Sequence, residues 1–141
     1  MRTAPVVGRL GEVVCHGLAL KPGKPTLLAD CDGVPLIGLP GNPRSALVVF
    51  RLVGIPLVRT VGGMTAPPPA ASVRAQLSRD VPSAAGRLDI VQVTVRDGVA
   101  TPRFGSSALL GPMVQADGWI RVPEPDTGLG AGAEVEVTLY G

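Results

Sequence analysis

Residues 38–47 read Gly38-Leu39-Pro40-Gly41-Asn42-Pro43-Arg44-Ser45-Ala46-Leu47. They follow an apolar stretch over residues 34–39 and lead into residues 44–61, where Ala46, Leu47, Phe50, Val53 and Leu57 recur at helical spacing. A strand passing directly into a helix is predicted. Asn42 is expected at the N-cap, and Pro43 as the first helical residue, where its missing N–H costs nothing. Free amides of a first helical turn and the positive end of the helix dipole suit an anion, while Gly38 and Gly41 let the backbone approach a ligand closely. An open α/β sheet places its ligand at such a junction. A capped helix behind a stiff turn accounts for the same residues without a ligand. Pro56, which has no N–H for the preceding turn, predicts a kink or break near Gly54.

Upstream, the apolar runs 13–20 and 26–29 read as two strands around the tight loop Lys21-Pro22-Gly23-Lys24-Pro25. A third strand is expected over residues 34–39, paired antiparallel with the second through Asp32-Gly33. Lys21 and Lys24 flank a rigid Pro-Gly pair, so two ammonium groups stand in fixed relation and can accept phosphate or another oxyanion with little ordering cost. A solvated turn is the alternative at that position.

Downstream, Gly62-Gly63-Met64-Thr65-Ala66-Pro67-Pro68-Pro69 favours an extended connector. The reading is therefore residues 1–63 as an α/β portion, residues 64–71 as a Pro-rich linker and residues 72–141 as an all-β portion. In the last part, strands are expected over residues 73–77, 88–95, 99–103, 118–122 and 135–139. Turns at Asp97-Gly98 and Asp117-Gly118 separate several of them, and a short helical turn is expected within residues 106–113. Five short strands in so few residues predict a small β-barrel or sandwich.

Composition excludes several functions. With 141 residues, 45% of them apolar, the chain can build a core, but aromatic residues make up only 3%, so stacking platforms for bases are not expected. A net charge of +2 without a run of Lys or Arg points away from nucleic acid. No window approaches the ~18 uninterrupted apolar residues of a membrane span. The N-terminal residues do not form a signal peptide, and a cytoplasmic location is expected. Cys15 and Cys31 lack the paired spacing of a metal site, and Glu12, Asp30 and Asp32 are isolated carboxylates.

Residues 14–25, Val14-Cys15-His16-Gly17-Leu18-Ala19-Leu20-Lys21-Pro22-Gly23-Lys24-Pro25, taken with residues 38–47, resemble the molybdopterin-binding domain of the MoeA and gephyrin family. Gly86-Arg87-Leu88-Asp89, Phe104-Gly105-Ser106-Ser107 and Ala116-Asp117-Gly118 resemble motifs of that family's C-terminal β-barrel domain. The resemblance implies the fold of a C-terminal fragment: a truncated α/β molybdopterin-binding, MogA-like domain followed by a small all-β barrel domain. It implies molybdopterin molybdenumtransferase activity, in which molybdate enters adenylylated molybdopterin and AMP is released. Molybdopterin and molybdate are then substrates and Mg2+ the cofactor, and the intact family member is a homodimer. Carried over residue by residue, Lys21, Arg87 and Ser106 are catalytic candidates, the last two commonly reaching the cleft from the partner subunit. Lys21, Lys24, Pro40, Gly41, Asn42, Pro43 and Ser45 are the cofactor-binding candidates. Without a ligand, Arg87 would only pair with Asp89, Ser106 would only cap a short helix, and His16 would be a packed strand residue rather than a substitute cation. The Gly- and Asp-rich cation-binding segment of the longer family members has no counterpart here, so no metal ligand is assigned. A non-catalytic anion- or molybdopterin-binding or scaffolding module is the alternative function. A half-domain with Leu47, Phe50, Val53 and Leu57 uncovered is a third reading.

Overall fold

The computed structural model describes residues 2–106 and 109–141. Its first element, helix α1 (Thr3–Leu10), was not expected: Pro5 and Gly8 hide the helical pattern, and Pro5 is tolerated because it sits in the first turn. Val7 on its inner face packs with Leu27 and Ala29. Strand β1 (Glu12–His16) follows, then β2 (Leu20–Lys21), β3 (Leu27–Cys31) and β4 (Val34–Gly38). Strands β1, β3 and β4 form an antiparallel sheet in that order. Asp32 and Gly33 take φ of 55° and 82° and close the expected β3–β4 hairpin.

The strand expected over residues 13–20 is two elements. At Gly17, with φ of 107°, the chain leaves the sheet. Residues 20 and 21 run instead beside a strand of the all-β portion. Helix α2 (Pro43–Val49) and helix α3 (Ile55–Val61) are joined by a π-turn, Phe50–Gly54, rather than by a break. Pro56 cannot donate to the carbonyl four residues back, and the wider turn absorbs that loss: the Ile55 N–H reaches back to the Phe50 carbonyl. A Cβ on Gly54 would lie 2.4 Å from Phe50 Cδ2, so the glycine makes room for that ring.

Residues 64–71 are exposed and form neither helix nor strand. Beyond them come β5 (Ser72–Leu77), β6 (Val81–Pro82), β7 (Leu88–Arg96), β8 (Val99–Arg103), helix α4 (Gly111–Val114), β9 (Gly118–Val122), β10 (Gly128–Leu129) and β11 (Glu134–Leu139). Strands β7, β8, β5, β11 and β9 pair in that order, and β9 returns to β7, closing a five-strand barrel rather than a sandwich, as the family resemblance implies. The short β6–β10 ladder was not anticipated, because two-residue strands leave no periodic signal. Asp97 and Gly98 turn at positive φ as expected. Asp117-Gly118 does something else. The Asp117 carboxylate accepts the Val95 N–H at 2.7 Å and Arg96 at 2.8 Å, and the first of these holds its pKa below the usual value. Gly118 begins β9, where a Cβ would meet the Thr138 carbonyl oxygen at 2.2 Å. Part of the helical turn expected within residues 106–113 lies outside the described residues, and the described helix starts at Gly111.

The barrel interior is filled by Ala75, Leu77, Val91, Val93, Ala100, Ile120, Val122, Val135 and Val137. Strand β7 is buried on both faces: Val91 and Val93 point inward, while Ile90 on its outer face joins Trp119, Leu20, Val48 and Val49 in a second core. Helix α2 and strand β2 of the α/β portion therefore bury their apolar side chains against the barrel wall. Each such side chain removed from water contributes roughly 1.5–3 kcal/mol, which makes this shared core the main tie between the two portions.

Candidate anion-binding cleft

The turn between β2 and β3 is the most constrained loop near this tie. Gly23 has φ of 132°, and a Cβ there would lie 2.6 Å from Val49 Cγ2 and 3.0 Å from Leu20 Cδ2, so only glycine fits between the turn and helix α2. The buried Thr26 hydroxyl donates to the Gly23 carbonyl at 2.6 Å, and the Leu18 N–H donates to the Lys24 carbonyl at 2.9 Å. Pro22 and Gly23 are buried while Lys21 and Lys24 are exposed. Two ammonium groups thus project from a backbone that is already fixed.

They project into a cleft of about 1090 Å³ between the α/β portion and the barrel. Asn42 and Ser45 from the start of helix α2 line it too, and Arg87 and Ser106 line it from the barrel. Six candidates named from the sequence therefore share one cavity, and Arg87 and Ser106 reach the cleft of Lys21 within a single chain. Pro40, Gly41 and Pro43 are not in its lining. Pro40 is buried beneath the junction, while Gly41 and Pro43 face solvent. Ser107 lies outside the described residues. His16 ends strand β1 opposite Leu27, exposed and away from the cleft lining.

Arg87 pairs with Asp89, Nε to Oδ1 at 2.8 Å and Nη2 to Oδ2 at 3.4 Å. Asp89 is buried, so the pair aims the half-buried guanidinium at the rim rather than leaving it to swing. The ion pair foreseen for a ligand-free Arg87 is present, and Arg87 lines the cleft as well.

Sequence reasoning gave Arg44 no role of its own. Its side chain lines the cleft floor at 8% exposure and donates from Nη1 to the Gly105 carbonyl at 2.6 Å, tying helix α2 to the Phe104–Ser106 segment. Burial lowers its pKa, against a smaller opposing effect of Tyr140, yet a guanidinium stays protonated at neutral pH. No pattern in the sequence announces a buried arginine, because burial is decided here by a loop 61 residues away.

A second contact, outside the cleft lining, holds the α/β portion to the barrel. Arg51, in the π-turn, stacks 4.9 Å from the Trp119 ring centre and 4.7 Å from that of Tyr140. The Tyr140 hydroxyl donates to Gln92 Oε1. Burial raises the Tyr140 pKa, although Gln92 and the two nearby arginines pull it down.

Four basic side chains line the cleft, and the carboxylate among the described lining residues is already paired. Such a site attracts anions and can hold a phosphate or another tetrahedral oxyanion. It does not fit Mg2+: among the described residues no three His, Cys, Asp or Glu side chains gather as a metal site, Asp89 is taken by Arg87, and Asp30 accepts the Gly33 N–H.

An α/β layer and a closed barrel thus enclose a cationic cleft. Residues 2–60 match the family described as "Probable molybdopterin binding domain", and residues 74–140 match "MoeA C-terminal region (domain IV)". The crystal structure of the molybdopterin biosynthesis MoeA protein from Pyrococcus horikosii is similar to 97% of this chain, with a TM-score of 0.81 and 37% identity, over 34% of its own length. A molybdopterin biosynthesis protein of Methanocaldococcus jannaschii is 31% identical over 137 residues, 97% of this chain and 32% of the relative. A molybdopterin molybdenumtransferase of Haemophilus influenzae is 37% identical over 89 residues, 62% of this chain and 22% of the relative. The chain belongs to the MoeA family and spans about a third or less of the length of these relatives.

Proposed function

We propose that this chain supplies the anion-holding cleft of a molybdopterin molybdenumtransferase, in which molybdate enters adenylylated molybdopterin and AMP is released. The observation that carries the reading is the convergence on one cleft of Lys21, Lys24, Arg87 and Ser106, from motifs far apart in the chain. In this reading Lys21 and Lys24 hold the oxyanion, and Arg87, aimed by Asp89, clamps a phosphate oxygen. Ser106 donates one hydrogen bond, and Asn42 and Ser45 shape the floor. Preset cations facing the charge that develops as AMP departs are the form of catalysis these residues can offer. Residues 1–63 and 72–141 act as two domains across the 64–71 linker, and a cytoplasmic homodimer is part of the same reading. No step is assigned to a divalent cation, for which the described residues do not gather a site.

That same observation favours a second reading, a module that binds molybdopterin, AMP or molybdate without turnover. AMP release from adenylylated molybdopterin by the 141-residue chain, with molybdate and magnesium present, separates the two. Release that disappears in Lys21→Ala supports the transferase. Ligand binding without release supports the module, and absence of both overturns the proposal.

A further inference from the structure

Arg44 stands in an unusual electrostatic position. It is more than nine-tenths buried, and none of the ion pairs among the described residues includes it. Among the described residues, Nη1 donates to a neutral carbonyl and the buried Nε has no partner. The carboxylate of the cleft, Asp89, is held by Arg87. A largely buried cation without a counter-ion is costly, and so is a buried donor without an acceptor. Arg44 nevertheless lines the cleft into which Lys21, Lys24 and Arg87 project.

We propose that Arg44 is an anion-binding residue of this cleft, whose missing counter-ion is the oxyanion or phosphate of the bound ligand. The proposal rests on the reading of the cleft as an anion site and adds a specific residue and a specific reason. Lys21, Lys24 and the rim arginine meet the ligand while still in contact with water. Arg44 meets it from the floor, where the dielectric is lower and each charge interaction counts for more. Because Nη1 also holds the Gly105 carbonyl, an anion seated on Arg44 is placed next to the segment carrying Ser106. The ligand thereby contacts both walls through one side chain. The lowered pKa has the direction expected for a cation whose environment withholds compensation.

The free protein then carries a strain that the ligand relieves, and this separates the proposal from a structural role. Arg44→Met removes the uncompensated charge and keeps most of the volume. The exposed Gly105 segment can give its carbonyl to water. The 141-residue chain and its Arg44→Met and Arg44→Lys variants are titrated calorimetrically with molybdate and, separately, with AMP. Melting temperatures are recorded with and without each ligand, and Lys21→Ala serves as the comparison. Arg44→Met is expected to melt no lower than wild type without ligand, yet to bind about ten- to a hundredfold more weakly, the effect of one charge-assisted hydrogen bond. Arg44→Lys keeps the charge and loses the fork, and is expected to fall between the two. Loss confined to molybdate assigns Arg44 to the oxyanion, and loss confined to AMP assigns it to the nucleotide phosphate. Lower stability in both variants with wild-type affinity for both ligands would make Arg44 purely structural and overturn the inference, while weakening in Lys21→Ala alone would leave the anion site standing. If wild type binds neither ligand, the anion reading and the inference fall together.

Discussion

The barrel and the α/β portion solve the same problem differently. Every barrel strand finds a neighbour on each side, and its interior is filled by its own Val, Leu, Ile and Ala side chains. The α/β portion has three antiparallel strands and a helix interrupted by a π-turn. Its large apolar residues stay open to solvent to an extent the barrel strands do not show: Val14 is 67% exposed, Val58 62%, Leu47 49% and Phe50 43%, against 37% for Val73 and 40% for Val99. What the α/β portion does bury through Leu20, Val48 and Val49, it buries against Ile90 and Trp119 of the barrel. One region is self-sufficient and the other leans on it, and the cleft lies along that contact. A cavity between two packing units is a common place for a ligand, because each unit contributes groups it could not spare from its own core.

The contrast breaks first, if it breaks, in the barrel. Ile120 is 1% exposed in the barrel interior, and Ile120→Ala is expected to cost about 3 kcal/mol in urea unfolding. A loss under about 1 kcal/mol would show that the barrel is not the stable unit. Next is the contact between the regions. Gly23→Ala forces a methyl into Val49 at a backbone φ of 132°, with an expected loss of about 2 kcal/mol. Weaker binding of anionic ligands should accompany it, because the lysine turn must move.

A smaller effect is expected from alkali. Tyr140 binds its proton more tightly folded than unfolded, since burial raises its pKa above the ordinary 10.0. Its contribution is present in full below that value and is lost as pH rises through the folded pKa, so stability should decline above about pH 10. Tyr140→Phe should flatten that part of the curve, and an unchanged slope counts against the burial argument. The smallest effect belongs to the open helix face. Val58→Ala should change stability by no more than about 0.5 kcal/mol, and a larger loss would mean that α3 is covered in solution.

What could be read from the sequence follows the same division. Strands β8 and β11 alternate buried and exposed residues, and β7 and β9 are nearly continuous buried runs bounded by turn residues, so their places were legible. Helix α1 was not, because a proline and a glycine break its composition, and neither was the departure of Leu20 and Lys21 to strand β7, since a parallel pairing across 68 residues leaves no local mark. The kink foreseen at Gly54 is a π-turn because proline's missing donor can be absorbed by widening the helix as well as by breaking it. Lys21, Lys24, Arg87 and Ser106 were legible through their motifs. Arg44 and Arg51 were not, because burial and ring stacking depend on partners that only the tertiary fold brings near.

The central claim is that both regions build one anion site. It is tested most directly by calorimetric titration of AMP into wild type, Lys21→Ala from the α/β portion and Arg87→Ala from the barrel. Each variant is expected to bind at least about tenfold more weakly, the loss expected for a charged contact. Wild-type affinity in either variant would place the ligand on one region alone and contradict it.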